Sequence, residues 1–253
     1  MSSALRPSTS TVASPAIAES TLGYSVIVPL HNEADNVDPL VSELRRVLST
    51  LGGAYEVVLV DDGSRDETRA TVQQAMRDWP QCRLVAFRRN QGQAAALLVG
   101  MRQARGSVIV TLDGDGQNVP ADIPALLEAL DGADLVVGVR QARQDSRLRL
   151  AMSRVANAIR SRCLGDGVTD TGCGLKVMRR EVVDAFIPIR TLYSFMPALA
   201  VAAGYRVVEC PVRHRPRRAG VANYGLRTFA WRPLLDMIGV WWFTRRRFAG
   251  RID

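Results

Sequence analysis

The chain has no run of roughly 18 or more apolar residues, so an ordinary membrane-spanning helix is not expected. Residues 1–23 are rich in Ser, Thr, Ala and Pro and lack the apolar core of a secretory signal. They read as a disordered tail. Cysteine is sparse and scattered, at positions 82, 163, 173 and 210. No Cys-x-x-Cys or zinc spacing occurs, and a chain of this size does not call for a disulfide framework, so a reduced, cytosolic setting fits. No Gly-x-Gly-x-x-Gly follows the first apolar run, which disfavours a dinucleotide site. No internal repeat is visible. A length of 253 residues suffices for one large domain with its own core, or one domain with appendages.

Charge is present in excess and unevenly placed. The net charge is +8, and between residues 205 and 253 eleven Arg stand against Glu209, Asp236 and Asp253. The rest of the chain is therefore balanced, and the basic C-terminal fifth should meet an anion: phosphate groups, an acidic membrane surface or nucleic acid.

The most informative stretch is Val110-Thr-Leu-Asp-Gly-Asp-Gly-Gln117. A strand over residues 107–112 is expected to deliver Asp113 and Asp115 to its C-terminal end. Residues i and i+2 of a strand share a face. Two carboxylates on one face repel unless a cation sits between them, and a hard divalent ion such as Mg²⁺ or Mn²⁺ suits oxygen ligands. Gln117 adds a neutral oxygen, while Gly114 and Gly116 allow a sharp turn and leave room for a bulky ligand. The competing reading is an Asx-rich turn after a buried strand.

Around this stretch, apolar β-branched runs alternate with helical ones. Strands are expected over Tyr24–Leu30 and residues 55–60, 82–87, 134–139 and 206–212. Helices are expected over residues 37–51, 66–77 (capped by Asp66), 93–105, 120–130, 148–164, 193–203 and 226–246. A short strand with Gly lies within residues 169–178. The alternation implies an α/β fold, a mostly parallel sheet with helices on both faces. Ligands of such sheets gather outside the C-terminal strand edge. His31-Asn-Glu33, Asp61-Asp62, Arg88-Arg-Asn90, Asp113/Asp115/Gln117 and Arg140 all follow strands and should converge there.

Taken together, Val28-Pro-Leu-His-Asn-Glu33, Asp61-Asp-Gly-Ser64, Asn90-Gln-Gly-Gln93, Leu112-Asp-Gly-Asp-Gly-Gln117 and the loop from Arg213 to Tyr224 resemble family 2 glycosyltransferases. The subgroup they resemble most is that of dolichol-phosphate mannose synthase and bacterial polyprenyl-phosphate glycosyltransferases. The resemblance implies a Rossmann-like GT-A domain over residues 24–225. It implies inverting transfer of a sugar from a nucleotide diphosphate donor, GDP-mannose or a UDP-sugar, to a polyprenyl or dolichyl phosphate.

Carried over residue by residue, it assigns Asp113, Asp115 and Gln117 to Mg²⁺ or Mn²⁺. Pro29, His31, Glu33, Asp62, Gln91, Asp113 and Arg140 fall to the nucleotide sugar, and Arg149, Ser153 and Arg218 to the acceptor phosphate. Asp115, Arg217 and Asp170 fall to catalysis. The choice among Arg147, Arg149 and Arg154 stays open, as does whether Asp61 caps or braces the turn beside Asp62. Asp170 would be a general base toward a saccharide or other soluble acceptor, the alternative reading. A phosphate acceptor is already ionised, and Asp170 would then orient other groups. Lys176 follows in the same motif, where a purely structural role is open. The family loop reads Arg-x-x-Gly-x-Ser-Lys-Tyr, whereas this chain has Arg217, Gly220, Ala222, Asn223 and Tyr224, so the Ser-Lys pair is absent. The loop reads as a basic lid that orders on anions, or as a solvated loop.

Residues 226–253 form an amphipathic segment in which Trp241, Trp242, Phe243 and Phe248 cluster with Arg245-Arg-Arg247. Trp beside Arg suits a membrane interface. Peripheral contact with the cytoplasmic leaflet is expected, with a separate membrane protein as a further partner. The other reading is a helix packed on the domain or at an oligomer interface. No nucleic-acid motif accompanies the Arg cluster, so no nucleic acid is expected beyond the nucleotide of the donor.

Overall fold

The computed structural model describes residues 22–141, 147–216 and 231–247, the side chains of 147–154 and 231–234 excepted. Strands and helices alternate as β1 (Tyr24–Leu30), α1 (Ala34–Leu48), β2 (Tyr55–Asp61), α2 (Thr68–Met76), β3 (Cys82–Ala86), α3 (Gln93–Gln103), β4 (Val108–Thr111), α4 (Ile123–Ala129), β5 (Leu135–Arg140), α5 (Arg147–Leu164), β6 (Lys176–Arg179), α6 (Leu192–Ala202), β7 (Val207–Val212) and α7 (Trp231–Arg246). The strands form one sheet in the order β3-β2-β1-β4-β6-β5-β7. All pairings are parallel except those of β6, which runs antiparallel to β4 and β5.

Strand alternation builds two cores. In β1, Val26, Val28 and Leu30 face one cluster with Val37, Leu40 and Leu44 of α1 and Leu126 of α4. Ile27 faces the other, with Ala96 and Met101 of α3 and Phe195 of α6. β2 repeats the pattern, with Val57 and Leu59 on the first side and Val58 and Val60 on the second. Burying each such side chain contributes about 1.5–3 kcal/mol. The apolar residues of α1 fall at three- and four-residue spacings, and Leu44 is fully buried.

Three expectations are adjusted. β4 ends at Thr111, so Asp113 and Asp115 lie in the turn beyond it rather than on the strand. The short strand within residues 169–178 is β6, which wedges between two parallel strands and reverses direction. Asp66 does not sit in the N-cap position, which is Glu67; its carboxylate accepts from the Thr68 N–H and hydroxyl and from the Ala34 N–H, tying α2 to α1. The tail over residues 1–21 lies outside the described residues.

The edge holding the strand starts is closed by a buried acid. Glu56 accepts from the Ser25 hydroxyl at 2.7 Å, the Arg83 Nε at 2.8 Å and the Arg105 N–H at 2.5 Å. Burial pushes its carboxyl upward, but the hydrogen bonds from Arg83, Ser25 and Arg105 outweigh this and hold it below its ordinary 4.5. A carboxyl lowered on folding adds stability above its unfolded value, and the gain is lost as pH falls through the folded value. Glu56→Gln is therefore expected to cost about 1–3 kcal/mol near neutral pH. In urea unfolding at a series of pH values, that difference from the wild type should shrink below pH 4.5.

Candidate active site

Because β1, β2, β3, β4, β5 and β7 run the same way, their C-terminal ends share one edge of the sheet. Antiparallel β6 adds its first residue, Lys176, and the segment before it to that edge. Pro29, His31, Glu33, Asp62, Gln91, Asp113, Asp115, Gln117, Arg140 and Asp170 follow or sit at these ends and are brought together. The backbone of α5 carries Arg149 and Ser153, whose side chains lie outside the described residues, as do Arg217, Arg218 and Gly220 entirely.

The loops after β1 and β2 are zipped together. His31 Nδ1 is 3.0 Å from the Asp62 carbonyl. Asn32 adopts a left-handed φ of 56°; its N–H donates to Ser64 Oγ and its side-chain oxygen accepts from the Arg65 N–H. The Glu33 N–H donates to the Thr68 hydroxyl, and its carboxylate accepts from Asn36. Asp61 is fully buried and braces the turn: it accepts from the Ser64 N–H at 2.9 Å and from Arg69 Nε at 2.8 Å. Asp62 is equally enclosed, and its two oxygens accept the backbone N–H groups of Gln91 (2.6 Å) and Gly92 (2.8 Å). Asp62 thus shapes the 90–92 loop that carries Gln91.

Local bonds hold the turn after β4. Asn118 Oδ1 accepts from the Asp113 N–H at 2.8 Å, and Asp115 Oδ1 accepts from the Gln117 N–H at 3.0 Å. The second bond is an Asx turn, so the competing turn reading describes the backbone correctly. Gln93 Nε2, at the start of α3, donates to Asp113 Oδ1 at 2.7 Å. Gly116 supplies the turn with a φ of 74°. Gly114 leaves room for β1 rather than for a ligand: a Cβ there would lie 2.8 Å from the Pro29 carbonyl and 2.4 Å from Leu30.

Among the described residues, no cluster of three or more His, Cys, Asp or Glu is assembled for a metal. The loop offers two carboxylates and an amide. The nearby Cys173 thiol is pushed up to about 11 by burial and stays protonated, so no soft ligand competes. This donor set fits a hard divalent ion whose remaining positions are filled by oxygens of a bound ligand or water.

On the other flank Arg140 and Asp170 form a bidentate pair. Arg140 Nη2 and Nε donate to the two carboxylate oxygens at 2.7 and 2.8 Å, and the Arg140 N–H adds a third bond at 3.1 Å. Burial lowers the tendency of this guanidinium to hold its proton, but the hydrogen bond and charge of Asp170 more than offset that, and it stays cationic. Lys176, the single lysine of the chain, is buried beneath the site. It donates to the carbonyls of Thr171 and Cys173. Burial pushes its ammonium below the usual lysine range, opposed by the nearby carboxylates of Asp113 and Asp170.

Several residues that hold the site escaped the sequence reading: Gln93, Asn118, Glu43, Arg215 and Glu209. Glu209 of β7 accepts the N–H groups of Thr169 and Asp170 at 2.6 and 3.3 Å. Gln93 was visible as part of Asn90-Gln-Gly-Gln93 and Arg215 as part of the loop from Arg213; Asn118 acts five residues from Asp113, on a backbone N–H that no motif marks, while Glu43 and Glu209 act across long sequence separations. Gly174 is the tightest point, since a Cβ there would stand 2.2 Å from Asp113 Oδ2. Gly174→Ala is expected to displace Asp113 and weaken Mn²⁺ binding about ten-fold or more. Electron paramagnetic resonance titration measures the binding, and an unchanged circular dichroism spectrum establishes that the fold is kept.

The chain is similar to known proteins both in sequence and in fold. The family model for glycosyl transferase family 2 matches residues 25–186. An undecaprenyl-phosphate 4-deoxy-4-formamido-L-arabinose transferase from Edwardsiella ictaluri (strain 93-146) is 38% identical over 205 residues, 80% of this chain and 63% of its own length. One of the same name from Pseudomonas aeruginosa (strain LESB58) is 40% identical over 202 residues, 79% of this chain and 60% of its own. The chain therefore spans about three fifths of these relatives.

Two solved structures share the fold. Glucosyl-3-phosphoglycerate synthase from Mycobacterium tuberculosis, in complex with Mn²⁺, UDP-Glc and phosphoglyceric acid, has a TM-score of 0.65 at 19% identity, covering 88% of this chain and 79% of that one. A mannosyltransferase from Pyrobaculum calidifontis, in complex with GDP-Man and Mn²⁺, has a TM-score of 0.62 at 23% identity, covering 90% and 66%. The fold is that of the GT-A glycosyltransferases, and the chain belongs to glycosyl transferase family 2.

Proposed function

We propose that this protein moves a sugar from a nucleotide diphosphate donor, GDP-mannose or a UDP-sugar, to a polyprenyl phosphate. The identity to undecaprenyl-phosphate transferases over four fifths of the chain supports the acceptor class. The observation that carries the chemistry is the commitment of Asp170 to Arg140 through three hydrogen bonds. A hydroxyl acceptor needs a base to take its proton. A phosphate acceptor is already an anion, and needs a fixed cation to draw it in and orient it. Asp170 holds the Arg140 guanidinium in one plane, and a planar fork pairs with two phosphate oxygens at once.

Asp113, Asp115 and Gln117 would hold Mg²⁺ or Mn²⁺ together with the donor diphosphate. When bound, the ion neutralises charge developing on the departing nucleotide. The chain's own part is positional. Asp62 pins the 90–92 loop, and the β1 and β2 loops wall the nucleotide side through His31 and Glu33. In this reading Arg140, assigned from the sequence to the nucleotide sugar, serves the acceptor phosphate together with Arg149, Ser153 and Arg218, and Arg217 keeps its catalytic assignment. Asp115→Asn is expected to lower turnover by about 100-fold or more with the melting temperature kept. Asp170→Asn should lower it through the acceptor KM while leaving the acid side of the pH profile in place. A profile that loses its acid limb in Asp170→Asn would instead indicate a general base acting on a hydroxyl acceptor.

The lipid acceptor also gives meaning to α7. One face packs into the domain through Val240, Met237 and Phe243, and Asp236 accepts from the Thr191 hydroxyl at 2.5 Å. The opposite face leaves Leu235 64%, Ile238 55% and Trp242 55% exposed. Arg245 stacks over Trp241 and Arg246 over Trp242. Val155 and Ile159 of the neighbouring α5 are exposed as well, so every large exposed hydrophobic among the described residues lies on these two helices. No described helix is long and apolar enough to cross a membrane. The reading is peripheral contact with an anionic, cytoplasm-facing leaflet, where a separate membrane protein is a further partner. Trp241→Ser with Trp242→Ser is expected to abolish co-sedimentation with phosphatidylglycerol-containing vesicles while sparing binding of the nucleotide sugar. Equal sedimentation of the double variant and the wild type would remove α7 from the membrane reading.

A further inference from the structure

The loop bearing Asp113, Asp115 and Gln117 is gripped from outside by the segment that leaves β7. The Arg215 N–H donates to the Gln117 carbonyl at 3.0 Å, and Gln117 Nε2 donates back to the Arg215 carbonyl at 3.4 Å. Beside them, Asn118 and His214 form an antiparallel bridge. The same Asn118 holds the Asp113 N–H, and the Gln117 N–H is held by Asp115. Through Gln117 and Asn118, residues 214–215 therefore reach the Asp115 carboxylate and the Asp113 backbone.

What fixes Arg215 is α1. The two Nη atoms of Arg215 donate to the two carboxylate oxygens of Glu43 at 2.8 and 2.9 Å. Arg213 adds a second tie, with its N–H and Nε donating to the two oxygens of Asp122 at 2.8 and 2.7 Å. Since α1 starts directly after His31-Asn-Glu33, the Glu43–Arg215 fork links the element on the nucleotide side to the loop with the paired carboxylates. The side chains of Arg215 and Glu43 are 30% and 19% exposed. A pair so placed adds little to overall stability, so its consequence is local. Bidentate geometry fixes distance and plane together, which a lysine cannot reproduce.

We infer that Glu43 and Arg215 are positioning residues for the cation-holding loop: their fork sets the affinity for a divalent ion with a nucleoside diphosphate by holding Gln117, and through it Asp115, in place. The inference rests on the reading of that loop proposed above. Neither side chain takes part in the transfer.

The test compares the wild type with Glu43→Gln, Arg215→Lys and the charge-swapped double variant Glu43→Arg/Arg215→Glu. Three quantities are read: Mn²⁺ binding with UDP or GDP by electron paramagnetic resonance, hydrogen exchange of the 113–118 amides in metal-free protein, and melting temperature. Each single variant is expected to bind Mn²⁺ roughly ten-fold more weakly, with faster exchange confined to 113–118 and an almost unchanged melting temperature. The double variant should recover most of both losses. Single variants with wild-type affinity and exchange overturn the inference while leaving the site reading intact. So does faster exchange throughout the protein with a falling melting temperature, the mark of a merely structural pair. A wild type that takes up no more Mn²⁺ than Asp115→Asn with either nucleotide overturns the site reading, and this inference with it.

Discussion

Parallel pairing of β1 with β2 on one side and β4 on the other is the constraint on which the site depends. In this register Leu30 stands beside Asp61 and Ile27 beside Thr111. β1 and β2 therefore end level with each other and β4 three residues short of them, and the residues that follow all run toward one rim. A slip of one residue would turn every core side chain of β1 to the wrong face. The two hydrophobic clusters that Val26, Val28 and Ile27 feed from opposite sides hold the register against that slip. Core packing and site geometry are the same fact seen from the two ends of a strand.

Concentrating carboxylates on one rim carries a cost, because buried like charges repel and buried acids need donors. Each acid is met separately. Asp61 has Arg69 and a turn amide, Asp62 has two backbone amides, Asp113 has Gln93, and Asp170 has Arg140. Lys176 lies underneath, fully buried, with its Nζ donating to the backbone carbonyls of Thr171 and Cys173. These partners order the rim before a ligand arrives, so that in the proposed reaction a donor and its cation would meet a surface whose dipoles already point the right way. Preorganisation of this kind is the main resource available to an enzyme whose chemistry is charge neutralisation and placement.

The C-terminal part answers a different requirement. On the proposed function, a catalytic domain acting on a polyprenyl phosphate needs a face that tolerates the headgroup layer. In α7 the inward residues Met237, Val240 and Phe243 dock the helix on the domain. The outward residues leave two tryptophans beneath stacked arginines. Docking on the domain and presenting an interfacial face are thus compatible, since they use opposite sides of one helix.

Local patterns determined much of this protein without tertiary information. Alternating apolar runs announce buried strands because the pleat has period two, and helices were legible from three- and four-residue spacing. Polar residues directly after those runs announced the rim, including Asp62, Asp113, Asp115 and Arg140. What no local pattern could reveal is direction and partnership. Antiparallel β6 brings Lys176 and Asp170 to the rim although they precede and begin a strand that follows the rest by a long stretch of chain. The end of β4 at Thr111 replaces strand alternation by an Asx turn as the device that sets Asp115. Glu43 meets Arg215 across 172 residues and Asp170 meets Arg140 across 30. Such pairs are chosen by where the packed sheet puts two side chains, a property of the folded surface that residue order along the chain does not encode.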